Sequence, residues 1–397
     1  MINIMSETTE KSGFKIEASS LRAYTMFGAT VLIWLFFYWQ TGGIFLTPRN
    51  LSNLMLQMSV TGIIAVGMLM VIVSGNIDLA VGSAMGLAGA IAAILLLDYG
   101  FLPAILGAIA VSVAIGAFHG FLTAYLNIPA FIVTLGGLLA WRGAIKGVTK
   151  SETIDVANAN FTQIGQGYLG GLEIPLSENT FFDLNYGWVL AILAIAAVLF
   201  LAFRRAKSQK EYGLGEANYR AEIVKSIVPI GAIVVFVLVM NSYKGVPVPV
   251  LILLAAAILG VFITNSTVFG RYLYAIGGNA DAARLSGINT KLNVLKVFAL
   301  LGFFVGIASL VNTARLGSAT VDAGTLKELD AIAACVIGGA SLMGGRGTIF
   351  GACLGALIME SLDNGMLLME VRDFMKDIVK GAVLVAAVGI DMIGKKS

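Results

Sequence analysis

The sequence predicts an all-α, polytopic bundle of membrane-spanning helices. Of its 397 residues, 58% are hydrophobic and only 12% are charged, whereas an average soluble domain carries about 25% charged residues. So few charges cannot cover a water-facing surface, but a lipid-facing surface needs no such cover. Apolar runs near the roughly 20 residues that cross a bilayer recur along the whole chain. The composition therefore disfavours a large soluble protein and leaves no separate soluble domain.

Twelve charge-poor apolar runs predict the helices. They lie at about 24–40, 51–73, 84–97, 101–126, 130–147, 188–203, 226–240, 249–264, 295–312, 331–345, 348–363 and 378–394. Several are too short to cross the hydrocarbon layer, which predicts broken or re-entrant helices packed inside the bundle. We expect about ten full spans, within a range of eight to twelve.

The distribution of basic residues predicts the orientation. Basic residues accumulate in the tails 1–21 and 395–397 and in the loops at about 204–225 and 265–296, which the positive-inside rule places in the cytoplasm. The connection at about 148–187 has one basic residue, Lys150, against five acidic ones, and is therefore placed outside. A single transmembrane domain over 22–394, with both termini cytoplasmic, requires an even number of spans.

The chain lacks the usual signatures of an energy source or an enzyme. It has no GxxxxGK[ST] loop for ATP and no HExxH motif or nucleophile elbow. His119, the only histidine, follows Gly116 in a GxxxG step, which favours a packing or hydrogen-bonding role over a proton relay. Cys335 and Cys353 lack metal-ligand spacing, so we expect buried packing residues and no metal site. A net charge of +3 is too weak to indicate nucleic-acid binding.

A faint internal repeat is visible at an offset of 265 residues. The offset superposes Gly82, Gly86, Asp98 and Gly100 on Gly347, Gly351, Asp363 and Gly365. Transporters are often built from duplicated halves. Chance matching in a chain with 47 glycines explains the pattern equally well.

The first motif is a polar interruption between two apolar runs. It contains four polar side chains: Ser74, Asn76, Asp78 and Ser83. A carboxylate in such surroundings must be paired, cap a helix or face water. Two interpretations remain open, a break that lines a translocation pathway and a structural cap on the following helix.

The second motif predicts a short helix in the loop 265–296. Asn279 suits the N-cap, Asp281 the first turn, and Gly287 the end. Such a helix can dock in a groove on a cytosolic partner or can simply connect two spans. The predicted segment comprises Asn279, Ala280, Asp281, Ala282, Ala283, Arg284, Leu285, Ser286 and Gly287.

The third motif is a glycine-rich stretch near the C-terminus. Its glycines are Gly338, Gly339, Gly344, Gly345, Gly347 and Gly351. Small residues at such spacing allow close contact between helices. The stretch is either a pore-side or dimer-contact element or a site of close packing within the chain.

Four stretches together resemble the permease subunits of bacterial ABC importers for monosaccharides. They read VSGNIDLAVGS, IPAFIVTLGGLLAWRG, YAIGGNADAARLSGI and ELDAIAACVIGGASLMGGRGT, in that order along the chain. Within this family, SLDNGM and TPRNLSNLMLQMSVTGIIAVGM are most similar to the D-xylose systems. The resemblance extends from about residue 21 to the end, except for a charge-mixed insert at 208–225.

The resemblance implies the partners and the mechanism. Two permease copies would form the pathway as a homodimer in the bacterial inner membrane. A cytosolic ATPase with two nucleotide-binding domains would hold ATP and Mg²⁺ and meet residues 279–287, while this chain would bind no cofactor. A periplasmic binding protein would deliver the sugar, expected to be D-xylose. The low count of intramembrane charges agrees with a neutral substrate. The alternatives are a stand-alone secondary transporter or facilitator and a receptor or scaffold without transport.

Overall fold

A computed structural model describes residues 18–177, 180–211 and 219–393. Most of the predicted N-terminal tail, residues 212–218 of the insert and the tail 395–397 lie outside the described residues. The described chain is almost entirely helical. Its helices are α1 (Ala18–Gln40), α2 (Pro48–Val73), α3 (Val81–Tyr99), α4 (Phe101–Tyr125), α5 (Ala130–Thr149), α6 (Ala159–Gln166), α7 (Tyr186–Glu211), α8 (Tyr219–Asn241), α9 (Val248–Ser266), α10 (Val268–Gly278), α11 (Ala280–Leu285), α12 (Thr290–Leu316), α13 (Lys327–Ile337), α14 (Ile349–Leu368) and α15 (Asp373–Ile393).

Within the described residues, six short strands form three antiparallel pairs. Two pairs join distant parts of the chain: β1 (Ile154–Asp155) with β6 (Ser318–Ala319), and β2 (Tyr168–Leu169) with β5 (Val246–Pro247). The third is a hairpin of β3 (Gly171–Ser177) and β4 (Thr180–Asn185).

Eight helices in the described part are long and apolar enough to cross a membrane. They are α2, α3, α4, α5, α7, α8, α9 and α12, and α1 adds a shorter apolar stretch, Thr25–Gln40. The prediction of a polytopic helical membrane protein is therefore confirmed. Each of the twelve predicted runs lies on a helix, but the run 331–345 extends beyond the end of its helix, α13. Helix α13 ends at Ile337, because Gly339 adopts a left-handed φ of 87° that stops helix propagation.

Helix α13 is too short to cross a bilayer. Its 11 residues span about 16 Å, against a hydrocarbon layer of about 30 Å. The segment that precedes it is held inside the bundle by Arg142 of α5, whose guanidinium donates to the carbonyls of Val321 (3.2 Å) and Ala323 (2.9 Å). This arrangement agrees with the predicted re-entrant pieces.

The bundle has two distinct ends. The strand end carries the pairs β1/β6 and β2/β5, which directly adjoin the C-terminus of α12 and the N-terminus of α9. The opposite end, here the α10–α11 end, holds the end of α2, α10 and the loop before α14, joined by a hydrogen bond from Gly345 N–H to the Val73 carbonyl (2.9 Å). The loop 265–296 lies at the α10–α11 end, and β1 and β2 of the connection 148–187 lie at the strand end. Which end faces the cytoplasm stays a prediction.

Helix α2 forms the centre of the bundle, since 89% of its apolar 18-residue stretch is buried inside the protein. The same share is 17% for α7 and for α8, whose apolar side chains therefore face outward. The contact of α4 with α12 depends on glycine: a Cβ at Gly116 would collide with the Phe298 carbonyl, and one at Gly302 with the Ser112 carbonyl. The predicted GxxxG packing of α4 thus places His119 within a tight helix pair.

Candidate functional site

In the polar segment before α3, three side chains form a continuous row of hydrogen bonds. Asp78 is 3% exposed, and its Oδ1 accepts a hydrogen bond from the Ala80 N–H (2.7 Å). Its Oδ2 lies 3.1 Å from Nδ1 of His119. The indole N–H of Trp141 donates to Nε2 of His119 (3.0 Å). Because Nε2 accepts this bond, the His119 proton resides on Nδ1 and is donated to Asp78.

The other predicted pathway residues bond to nearby backbone or to each other. The Ser74 hydroxyl donates to the Val71 carbonyl (2.7 Å), and the Ser83 hydroxyl donates to the Ala80 carbonyl (2.9 Å). The Asn76 amide donates to the Ser74 hydroxyl (3.1 Å). The N-cap of α3 is Ala80 and receives no side-chain cap, since Asp78 accepts from the Ala80 N–H itself. The cap and the pathway interpretations both stay predictions.

The predicted docking helix forms as α11. Asn279 is its N-cap, with Oδ1 accepting from the Ala282 N–H (2.9 Å), and Gly287 follows in a left-handed conformation (φ 85°). Ala283 packs inward at 5% exposure, whereas Leu285 is 85% exposed. The outer face thus presents a large apolar side chain beside the charged Arg284. A single exposed apolar side chain is common on protein surfaces, so the docking role of α11 stays a prediction.

Backbone contacts connect α11 to the core helices. Helix α10, which directly precedes α11, has Gly277 against the Val73 carbonyl so closely that any Cβ would collide with it. The Tyr274 hydroxyl donates to the Gly347 carbonyl (2.8 Å), and burial raises the pKa of this phenol, so it remains a donor. Helix α10 is therefore held against both the end of α2 and the loop that precedes α14.

The glycines of the third motif make close contacts within the chain. A Cβ at Gly351 would meet the Gly338 carbonyl, while Gly344 and Gly345 lie against Gly277 and Gly278 of α10. Gly339 supplies the turn after α13, and Gly347 packs on Leu69 and Val73 of α2. These positions favour close packing over a pore-side role.

The structure also brings together five charged side chains from α13, α14 and α15. Lys327 donates to Glu360 (2.6 Å) and pairs with Asp330 (3.2 Å). Lys380 lies 3.3 Å from Asp330 and 2.8 Å from Asp363. Two of these residues, Glu360 and Asp363, lie in the apolar run 348–363. Opposite charges from different helices compensate one another, which makes their burial tolerable.

A cavity of about 240 Å³ opens beside this ionic cluster, which comprises Lys327, Asp330, Glu360, Asp363 and Lys380. Its walls come from α2, α12, α13, α14 and α15. They comprise Gln57, Val60, Asn312, Arg315, Lys327, Glu360, Asp363, Leu367 and Lys376. Arg315 and Leu367 lie in the last turns of α12 and α14, which places the cavity toward the strand end. Its size, below the roughly 300–1,000 Å³ of drug-sized pockets, suits a small polar molecule.

Comparison with known proteins identifies the family. Residues 50–388 match the family described as "Branched-chain amino acid transport system / permease component". The chain belongs to that permease family. The predicted resemblance to importer permeases is thereby confirmed, and the chain is the permease component of a transport system.

Three relatives illustrate the range of sequence similarity. The xylose transport system permease protein XylH of Haemophilus influenzae is 43% identical over 96% of this permease and 99% of that protein. The ribose import permease protein RbsC of Escherichia coli K12 is 36% identical, covering 87% of each chain. The galactose/methyl galactoside permease MglC of Salmonella typhimurium is 31% identical, covering 88% of each. No solved structure matches the permease significantly.

The cavity was missed because its residues form no compact sequence motif. Glu360 and its hydroxyl donor Thr61 are 299 residues apart. The detectable signal was a set of charges inside or beside apolar runs, at positions such as Asp330 and Lys380. Within the described ranges, no group of three or more His, Cys, Asp or Glu side chains is arranged to hold a metal ion.

Proposed function

We propose that this permease is the membrane-spanning subunit of an ATP-driven importer that carries a monosaccharide, D-xylose, across a bacterial inner membrane. The observation that carries the proposal is the connection of the exposed helix α11, through α10, to the helices that line the cavity. Helix α2 carries Gln57 on the cavity wall and ends against α10. Helix α14 carries Glu360 and begins just after the loop held by Tyr274.

This connection provides a mechanical route for alternating access. A cytosolic ATPase with two nucleotide-binding domains, carrying ATP and Mg²⁺, binds α11 around Leu285. Closure of the ATPase dimer moves α10, and α10 moves the end of α2 and the start of α14 with it. The cavity then opens toward a periplasmic binding protein at the strand end, and after hydrolysis toward the cytoplasm. A second copy of the permease completes the pathway, and both termini remain cytoplasmic.

The choice of D-xylose rests on the order of similarity. Identity decreases from the xylose permease (43%) to the ribose (36%) and galactose (31%) permeases, although the family description refers to branched-chain amino acids. A cavity with amide, guanidinium, ammonium and carboxylate groups favours a hydroxyl-rich ligand over the apolar side chain of such an amino acid. Uptake of labelled D-xylose, with ribose, galactose and leucine as competitors, tests this assignment.

Docking at α11 is tested by introducing a negative charge at Leu285 in the assembled importer. We expect Leu285→Glu to reduce ATP-dependent xylose uptake by about tenfold or more, because a buried hot-spot contact contributes about 2 kcal/mol or more. ATP hydrolysis should also lose its stimulation by the loaded binding protein. Leu285→Met keeps an apolar side chain and should retain both activities. Normal coupling in Leu285→Glu would show that the ATPase binds elsewhere.

The ionic cluster supports one competing function. Buried ionisable groups are typical of proton-coupled transporters, so a stand-alone secondary transporter is the second candidate. In this permease, however, the lysines and carboxylates form direct pairs at 2.6–3.3 Å. Xylose uptake into vesicles that contain the permease without any ATPase, abolished by dissipating the proton gradient, would favour the alternative.

A further inference from the structure

Arg315 differs from the other cations of the cavity. Its Nε–H is buried and has no hydrogen-bond partner among the described residues. By contrast, Lys327 is bound by Glu360 and Asp330, and Lys376 lies 3.1 Å from Asp373. The Arg315 side chain lines the cavity, and its guanidinium lies within ion-pair distance of no carboxylate among the described residues. This free charge points to a ligand that supplies acceptor groups.

The groups around Arg315 define the chemistry of that ligand. Asn312 lies one helical turn before Arg315 on α12 and offers both a donor and an acceptor. Glu360 and Asp363 add carboxylate acceptors on the facing helix α14. The cavity walls carry three cations and two carboxylates, and Lys327 and Lys376 are already paired with carboxylates, which leaves little attraction for a simple anion. A neutral polyol satisfies all of these groups, because each hydroxyl can donate and accept.

The location of the cavity suits delivery from the strand end. Arg315 is in the last turn of α12, immediately before β6. The C-terminal carbonyls of α12 are held by Gln166 of α6, whose amide donates to the Arg315 carbonyl (2.9 Å). This contact holds the backbone of Arg315 and leaves its guanidinium for the cavity.

We propose that Arg315, with Asn312 and the Lys327–Glu360 pair, forms a transient binding site for a pentose inside the permease. The proposal rests on the proposed function and adds the place where the sugar is held. Arg315 donates to a sugar hydroxyl or ring oxygen from its guanidinium, and Asn312 bonds a neighbouring hydroxyl. The ionic cluster forms the floor of the site.

Cysteine protection in the full importer tests the site directly. In a Cys335→Ala, Cys353→Ala background, we introduce Leu367→Cys or Gln57→Cys, both on the cavity wall, and measure mixed-disulfide formation with a small methanethiosulfonate reagent, with and without D-xylose. Both introduced thiols should react, and D-xylose but not leucine should slow the reaction. Ser309→Cys, on α12 at 1% exposure, should stay unreactive.

An arginine variant supplies the functional readout. Arg315→Gln should reduce xylose uptake by about tenfold, since a hydrogen bond to a charged group contributes about 1.5–3 kcal/mol. It should also abolish xylose protection of Gln57→Cys, while the binding protein still stimulates ATP hydrolysis. Unprotected thiols at both positions, or normal uptake by Arg315→Gln, would overturn the site even if the importer carries xylose. Absence of xylose uptake by the unmodified importer would instead overturn the proposed function.

Discussion

Two buried polar clusters in this permease differ in how their polar groups find partners. The cluster of Asp78, His119 and Trp141 is closed: each of its hydrogen bonds joins members of the cluster or nearby backbone. The ionic cluster around Lys327 and Glu360 is open, because it forms one wall of a cavity.

This difference distinguishes polar groups that hold the fold together from polar groups that face a cavity. The closed cluster joins the segment before α3 to α4 and α5, so its hydrogen bonds hold three parts of the chain in register. The open cluster is a charged surface with a nearby donor, Arg315 Nε, that lacks a partner in the described chain. We therefore expect mutations in the closed cluster to change stability alone, and mutations in the open cluster to change both stability and transport.

The largest effect is expected from Glu360→Ala. Removing this carboxylate deprives Lys327 of its shortest ion pair and Thr61 of its acceptor, at a cost of about 3–5 kcal/mol. Thermal unfolding of the detergent-purified permease measures the loss, and xylose uptake should fall with it. Asp373→Ala serves as the control, because this carboxylate is 97% exposed and should leave the unfolding midpoint unchanged. A stable, fully active Glu360→Ala permease would remove the ionic cluster from the mechanism.

An intermediate effect is expected from His119→Ala. Asp78 would remain buried without its imidazole partner, which costs about 1–3 kcal/mol in unfolding free energy. His119→Asn should recover part of the loss, since an amide N–H can donate to Asp78. Neither variant should change the relative competition by ribose and galactose in uptake assays. A changed sugar preference would mean that the closed cluster belongs to the pathway.

The smallest effect is expected from Trp141→Phe. This change removes the single indole N–H donated to Nε2 of His119 and keeps most of the ring contacts, so we expect a loss of about 1 kcal/mol. Trp39→Phe is the matched control, because Trp39 is 78% exposed and should show no change in the same thermal scan. Equal losses in both variants would indicate a general effect of removing indole.

Sequence patterns predicted the features whose causes are local. The helix α11 was predicted residue by residue, because an asparagine cap and a left-handed glycine act within a single turn. Apolar runs located the helices for the same reason. The end of α13 was misplaced, since a run of small and apolar residues does not reveal which glycine breaks the helix.

Sequence patterns did not predict contacts between residues that are far apart in the chain. Asp78 and His119 are separated by 41 residues, and neither sequence neighbourhood indicates that the other is its partner. The same holds for Lys380 and Asp330, which come from different helices.

The sequence by itself determined that this protein is a polytopic helical membrane protein, because hydropathy, charge bias and capping depend on nearby residues. Only the tertiary structure decided which polar groups are closed off and which face a cavity. The physical reason is that a buried charge is tolerated only with a partner, and helix packing selects that partner from anywhere in the chain. Glu360 on the cavity wall is thus stabilised by its ion pair with Lys327, while Asp78 is stabilised by its contact with His119 inside the helix bundle.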